Sequence, residues 1–69
     1  MTKGAKLLKI FRVTNELTQQ DFSKKYNVHR STIAMIEADI NQPKIETAKL
    51  LGKIINIDWW LFYEEEKKD

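Results

Sequence analysis

Residues 17–37, LTQQDFSKKYNVHRSTIAMIE, set two helical hydrophobic patterns end to end with almost nothing between them. Phe22 and Tyr26 give the first its apolar side, and Ile33 and Ile36, three residues apart, fix the inner face of the second. Only Asn27 and Val28 separate the two. Asn is the best non-glycine residue for the left-handed position that ends a helix, so Asn27 predicts a sharp turn with Val28 buried in it. The second pattern opens with His29-Arg30-Ser31-Thr32, four hydrogen-bonding side chains ahead of any core residue. By the 3.6-residue repeat Arg30, Ser31, Ala34 and Met35 fall largely on its outer side.

The flanking segments also read as helices. Leu7, Leu8, Phe11 and Val13 predict a first helix from about Lys3 to Asn15, with these residues as its apolar face. Thr18 is a good N-cap, with Asp21 at the position where a capping box prefers Glu or Gln, and helix two runs from about Gln19 to Lys25. Helix three begins at about His29. Asp39 to Pro43 is a loop, and Pro43 suits the first turn of helix four, which runs from about Lys44 to Ile55 with Ile45, Ala48, Leu51 and Ile55 inward. Gly52 costs about 1 kcal/mol relative to Ala inside that helix, which points to a close helix contact. Asn56 repeats the Asn stop, and Asp58 is expected to cap a fifth helix from Trp59 to about Glu66. The expectation is an all-α fold of five short helices in one domain spanning residues 1–69, with 1–3 and 65–69 frayed.

Composition excludes several functions. The chain has no cysteine, so neither a disulfide framework nor a thiolate zinc site can form, and a reducing compartment is expected. His29 is the single histidine, which leaves a metal role without further ligands. Its neighbour two residues on, Ser31, does not face it on a helix, so the two make no nucleophile pair. Gly4 and Gly52 form no phosphate loop. No catalytic constellation, cofactor site or small-molecule site is evident, no continuous apolar leader follows Met1, and no stretch approaches the roughly 20 apolar residues of a membrane span. The net charge of +2 is asymmetric: residues 1–33 carry a net +5 and residues 34–69 a net −3. A basic half favours a polyanionic partner.

Leu17 to Glu37 resembles the helix-turn-helix of the phage-repressor and Cro type, the Xre family. The resemblance extends over nearly the whole chain: Leu8-x-x-Phe11-Arg12 is similar to the family's first-helix core, Asn41-Gln42-Pro43 with Ile45-Glu46-Thr47 to its helix-four opening, and Asn56-Ile57-Asp58-Trp59 to its closing turn and fifth helix. It implies a lambda-repressor-like fold in which helices two and three form the motif and helix three is the recognition helix. Arg30, Ser31 and Met35 would then face bases, with His29 at the entrance. Gln19 would touch a phosphate and buttress the recognition helix, and Arg12 with Glu37 would form a buried ion pair. Trp59 and Phe62 would point inward. Ser23 stands where the family usually has Ala, and Asn27 where it has Gly; both remain compatible with a close crossing and a left-handed turn.

The residue types suit duplex DNA. Arg30 can span guanine O6 and N7, worth roughly 1–3 kcal/mol of discrimination, whereas Met35 offers only apolar contact, as to a thymine methyl. Thr18, Gln19, Thr32, Asn41 and Lys44 are the candidates for phosphate contacts, which set register without reading sequence. The expected protein is a double-stranded-DNA-binding regulator, most simply a repressor. It would act as a homodimer on a palindromic operator in the cytoplasm, bacterial or phage-encoded, at the nucleoid. Five consecutive large apolar residues, Trp59 to Tyr63, cannot all face the core of one helix, so Trp60, Leu61 and Tyr63 are candidates for the dimer contact. Blander alternatives stay open: the aromatic run as a lid on helix four, Arg12–Glu37 as a surface pair, Met35 packed on Gln19. The alternative function is a protein-interaction module of the same fold, using helix three or the Trp-rich segment. An enzyme finds no support.

Overall fold

The structure, a computed structural model, describes residues 1–66. Four α-helices are followed by one 3-10 helix: α1 (Lys3–Thr14), α2 (Gln19–Tyr26), α3 (Arg30–Glu37), α4 (Ile45–Ile55) and the 3-10 segment Trp59–Tyr63. The last element is shorter and tighter than the fifth α-helix expected, and Asp58 precedes it without a side-chain cap. The i→i+3 pattern eclipses side chains three apart, so Trp59 and Phe62 share one side, against the core, while Trp60 stays exposed.

All four α-helices stop in the same way. Glu16, Asn27, Asp39 and Asn56 each adopt a left-handed backbone, with φ of 56°, 56°, 61° and 60°. The amide of the following residue then reaches back five positions: Leu17 to Arg12, Val28 to Ser23, Ile40 to Met35 and Ile57 to Gly52, at 2.9–3.1 Å. This Schellman closure satisfies carbonyls that a helix end leaves orphaned, and it turns the chain within two residues. No glycine occupies any of the four positions.

The core joins every element. Leu8, Phe22, Ile33, Leu51 and Phe62 are fully buried, and Ala5, Val28, Ile36, Ala48 and Ile55 complete the cluster. Phe22 lies edge-on to Phe11 at 6.3 Å and tilted on Tyr26 at 4.7 Å, which fastens α2 to α1. Three residues expected in the core are exposed: Leu7, Val13 and Ile45. The buried stripe of α1 is Gly4, Ala5 and Leu8, and at 100° per residue Leu7 and Val13 fall off it. Ile45, in the first turn of α4, sits at the edge of the Ala48–Leu51–Ile55 stripe.

The chain ends meet. Thr2, expected to fray, is buried: it accepts the Ala5 amide as N-cap of α1 and bridges antiparallel to Glu65. Lys3 N donates to the Glu64 carbonyl at 2.8 Å, and Glu66 N donates to that of Met1 at 3.2 Å. Residues 67–69 of the expected frayed tail lie outside the described residues. Gly4 permits this closure, since a Cβ there would stand 2.7 Å from the Phe62 ring and its backbone nitrogen. Gly52 does need to be small, but the neighbour that requires it is the Ile57 carbonyl, in the turn that ends its own helix, where a Cβ would approach to 2.8 Å.

Glu16 is the costliest of the four stops, because Glu gains nothing from a left-handed backbone that penalises an L-residue by roughly 1–2 kcal/mol. Glu16→Gly is expected to stabilise the fold by about 1 kcal/mol, read as a melting temperature several degrees higher. An unchanged or lower melting temperature would show that the left-handed turn carries no strain.

Candidate nucleic-acid interface

The surface around α3 is organised from beneath by one charged group. Arg12, in the last turn of α1, donates from Nε to Glu37 Oε2 at 2.9 Å and from Nη2 to Glu37 Oε1 at 2.8 Å. Its remaining arm, Nη1, donates to the Leu17 carbonyl at 2.9 Å. Gln19 Nε2 adds a longer bond to Glu37 Oε1, at 3.4 Å. The two charged side chains are 14% and 4% exposed, so this is no surface pair. Donating to the Glu37 carboxylate pushes the Arg12 pKa up, against the opposing effect of burial. The pair fixes the orientation of α3 against α1, and Gln19 ties in the start of α2.

The turn and the caps set the angle between α2 and α3. Thr18 and Asp21 form a reciprocal capping box: Asp21 N donates to Thr18 Oγ1 at 3.0 Å, and Thr18 N donates to Asp21 Oδ2 at 3.1 Å. The shorter Asp serves where Glu or Gln is the usual choice. The bond from the Thr18 amide, with the Thr18 hydroxyl beside it, holds the Asp21 carboxyl below its ordinary range. Asn27 takes the left-handed position and Val28 is buried, which releases the chain into α3.

His29 is the N-cap residue of α3, but its imidazole makes no capping bond and stays exposed. Arg30 and Ser31 are exposed beside it, and among the described residues neither side chain makes a hydrogen bond or ion pair. One turn on, Met35 is 43% exposed and its Sδ accepts from Asn41 Nδ2 at 3.4 Å. Thr32, Met35, Asn41 and Lys44 line one cleft of about 320 Å³ between α3 and the start of α4. The candidates thus form three groups, of which two are Thr32, Met35, Asn41 and Lys44 around the cleft and Thr18 with Gln19 at the head of α2. His29, Arg30 and Ser31 stand on the first turn of α3, outside the cleft lining.

Tyr63 supports this surface in a way that its sequence context does not announce. Its hydroxyl donates to the Pro43 carbonyl at 2.6 Å and so holds the loop that carries Asn41 and Lys44. A tyrosine in an aromatic run gives no sign in sequence of a carbonyl twenty residues upstream. Of the residues named for a dimer contact, Tyr63 and Leu61 are half-buried and Trp60 is exposed.

Comparison with known proteins agrees with the helix-turn-helix arrangement of α2 and α3. A family model described as helix-turn-helix matches residues 8–59. The chain is similar to YqaF of Bacillus subtilis, named an uncharacterized HTH-type transcriptional regulator, with 30% identity over 87% of this chain and 79% of that protein. It is similar also to MJ0272 of Methanocaldococcus jannaschii, which carries the same description, with 34% identity over 87% of this chain and 94% of that one. No solved structure shows a significant match.

Two outcomes test the scaffold. Arg12→Met strands a buried carboxylate and is expected to cost about 3 kcal/mol in urea unfolding, whereas Arg12→Met with Glu37→Leu should recover most of that loss. For Asp21, a depressed folded pKa means that its stabilisation is present above the ordinary value of 3.8 and is lost as the pH falls through the lower folded value. The melting-temperature gap between wild type and Asp21→Asn should therefore be open at pH 6 and close progressively below about pH 4. A gap unchanged at low pH would remove the capping role of the carboxylate.

Proposed function

The chain belongs to the helix-turn-helix family, and from that premise we propose that it is a sequence-specific, double-stranded-DNA-binding transcriptional regulator that inserts α3 into the major groove. The observation that carries this reading is the contrast across α3. Its inner side is held by Ile33, Ile36 and the Arg12–Glu37 pair, while Arg30 and Ser31 are exposed without partners among the described residues. A helix enters the major groove with the side chains of its N-terminal turn reaching base edges.

Each residue then has a part. Arg30 reads guanine through two hydrogen bonds, Ser31 donates or accepts at an adjacent base edge, and Met35 offers an apolar surface to a thymine methyl. His29 sits at the groove entrance. The start of α3 has no side-chain cap, which leaves its first N–H groups available to a phosphate, and Gln19, Thr18 and Thr32 provide further donors toward the phosphates. Lys44 and Asn41 grip the same backbone from the α4 side. Asn41 gives up little to do so, since thioether sulfur is a weak acceptor.

One module of this size reads few base pairs, so we infer that it works as a homodimer on a palindromic operator with half-sites about 34 Å apart, and that occupancy represses transcription. Bacterial or phage nucleoid DNA in the cytoplasm is the corresponding site of action. Among the described residues no helix is long and apolar enough to cross a membrane. The exposed Trp60 favours a second reading, a protein-interaction module of the same fold.

Salt separates the two. DNA affinity should fall linearly in log–log form as salt rises, because phosphate contacts release counterions, whereas an apolar protein contact would change little. In a titration against sequences selected from a random duplex pool, Arg30→Ala should relax the preference at one guanine at a cost of roughly 1–3 kcal/mol. Lys44→Ala should weaken all sequences alike and lower the salt slope by about one. If no sequence is enriched and binding ignores salt, the interaction module replaces the regulator.

A further inference from the structure

Helix α1 has two apolar sides, and the core uses one of them. Gly4, Ala5 and Leu8 are buried, whereas Leu7 and Ile10 lie round the helix and remain 36% and 49% exposed. Together with Leu61 of the 3-10 segment they floor a groove of about 440 Å³, bordered by Lys3 and Lys6 on one side and Glu66 on the other. None of the residues assigned to DNA lines this groove.

Charge on the two rims narrows the occupant. The α1 rim is basic and the facing segment is acidic, and within the chain they pair across the groove: Lys3 Nζ with Glu64 Oε2 at 3.3 Å, Lys6 Nζ with Glu66 Oε1 at 2.6 Å. A nucleic acid or an anionic membrane would meet the carboxylates of the second rim. The fitting partner is acidic opposite the lysines, basic opposite the glutamates and apolar between. A second copy turned about a two-fold axis supplies that pattern, because in an isologous contact residue i meets j while j meets i. All four charged side chains are solvated, so exchanging partners within the chain for partners across an interface costs little. Leu7, Ile10 and Leu61 would leave water in the exchange.

We propose that the Leu7–Ile10–Leu61 groove is the homodimer contact, filled by the same groove of a second copy, with the Lys6–Glu66 pairs exchanged between copies. It rests on the homodimer reading and moves the contact from Trp60 and Tyr63 to the outer face of α1, keeping Leu61.

Sedimentation velocity without DNA tests it. Lys6→Glu and Glu66→Lys each place like charges across the interface, and each variant should dimerise about tenfold more weakly than wild type. Mixed in equal amounts, the two variants regain both cross-pairs, although the charges within each chain still repel. Recovery of wild-type association in the mixture is the expected result, and it requires pairing between copies. Ile10→Lys, with its melting temperature checked, should be monomeric, and Trp60→Ala should associate as wild type does. A monomeric wild type, charge variants that associate normally, no recovery in the mixture, or a dimer lost on Trp60→Ala and kept in Ile10→Lys would each overturn the proposal. Since DNA is absent, none of these results bears on the DNA reading, which the salt titration decides separately.

Discussion

The Arg12 guanidinium is the interaction on which the arrangement of helices depends. Its planar fork meets both oxygens of Glu37 and its third nitrogen meets the Leu17 carbonyl, so one side chain fixes the end of α1, the entry to α2 and the end of α3. Bidentate geometry matters here more than charge, because a lysine would offer a point contact and leave one carboxylate oxygen and the carbonyl short of a donor. Burying the pair carries a desolvation cost that packed apolar residues would avoid. What the pair adds is orientation: three elements meet at one group with directional bonds, whereas the Phe22–Ile33–Leu51 core around it tolerates small rotations.

The four helix ends explain how much of this fold the sequence makes legible. Asn27 and Asn56 can be read as stops because asparagine tolerates the left-handed backbone. Glu16 and Asp39 adopt the same conformation without an equally clear signal, since Glu has no such preference and Asp39 opens a stretch that reads as loop in any case. The shared signal is the hydrophobic residue that follows each: Leu17, Val28, Ile40 and Ile57. Three of these are at least half-buried, so in those turns packing after the stop supports the strained residue before it. That support is tertiary, which is why local propensity reveals two of the four.

Side-chain facing divides in the same way. The inner faces of α3 and most of α4 follow from the 3.6-residue repeat, because each presents one clear stripe. Helix α1 defeats the repeat because apolar residues lie all round it, and which side is buried is decided by Gly4, whose missing side chain lets Phe62 lie directly on the helix. The candidate DNA-facing residues can be named from their pattern. Their supports are less legible: Asn41 bonded to Met35 and Tyr63 bonded to the Pro43 carbonyl are contacts between segments whose proximity exists only once the chain has closed.

Closure also changes what the charge asymmetry means. Along the chain the first half is strongly basic, but in space Lys3, Lys6 and Arg12 are paired with Glu64, Glu66 and Glu37 from the acidic half. Pairing lowers the positive potential of α1, where Lys9 alone keeps a charge without a carboxylate partner among the described residues, and leaves it undiminished at Lys24 and Lys25, which end α2, and at Arg30, which starts α3. Lys25 lies over the Tyr26 ring at 5.5 Å, which holds its charge close to the turn. A polyanion approaching this protein is therefore drawn by a short basic strip that runs from the end of one helix to the start of the next, and the strip is a product of folding rather than of composition. The same pairing makes the Lys3–Lys6 rim of α1 a weaker draw for a polyanion than the turn between α2 and α3.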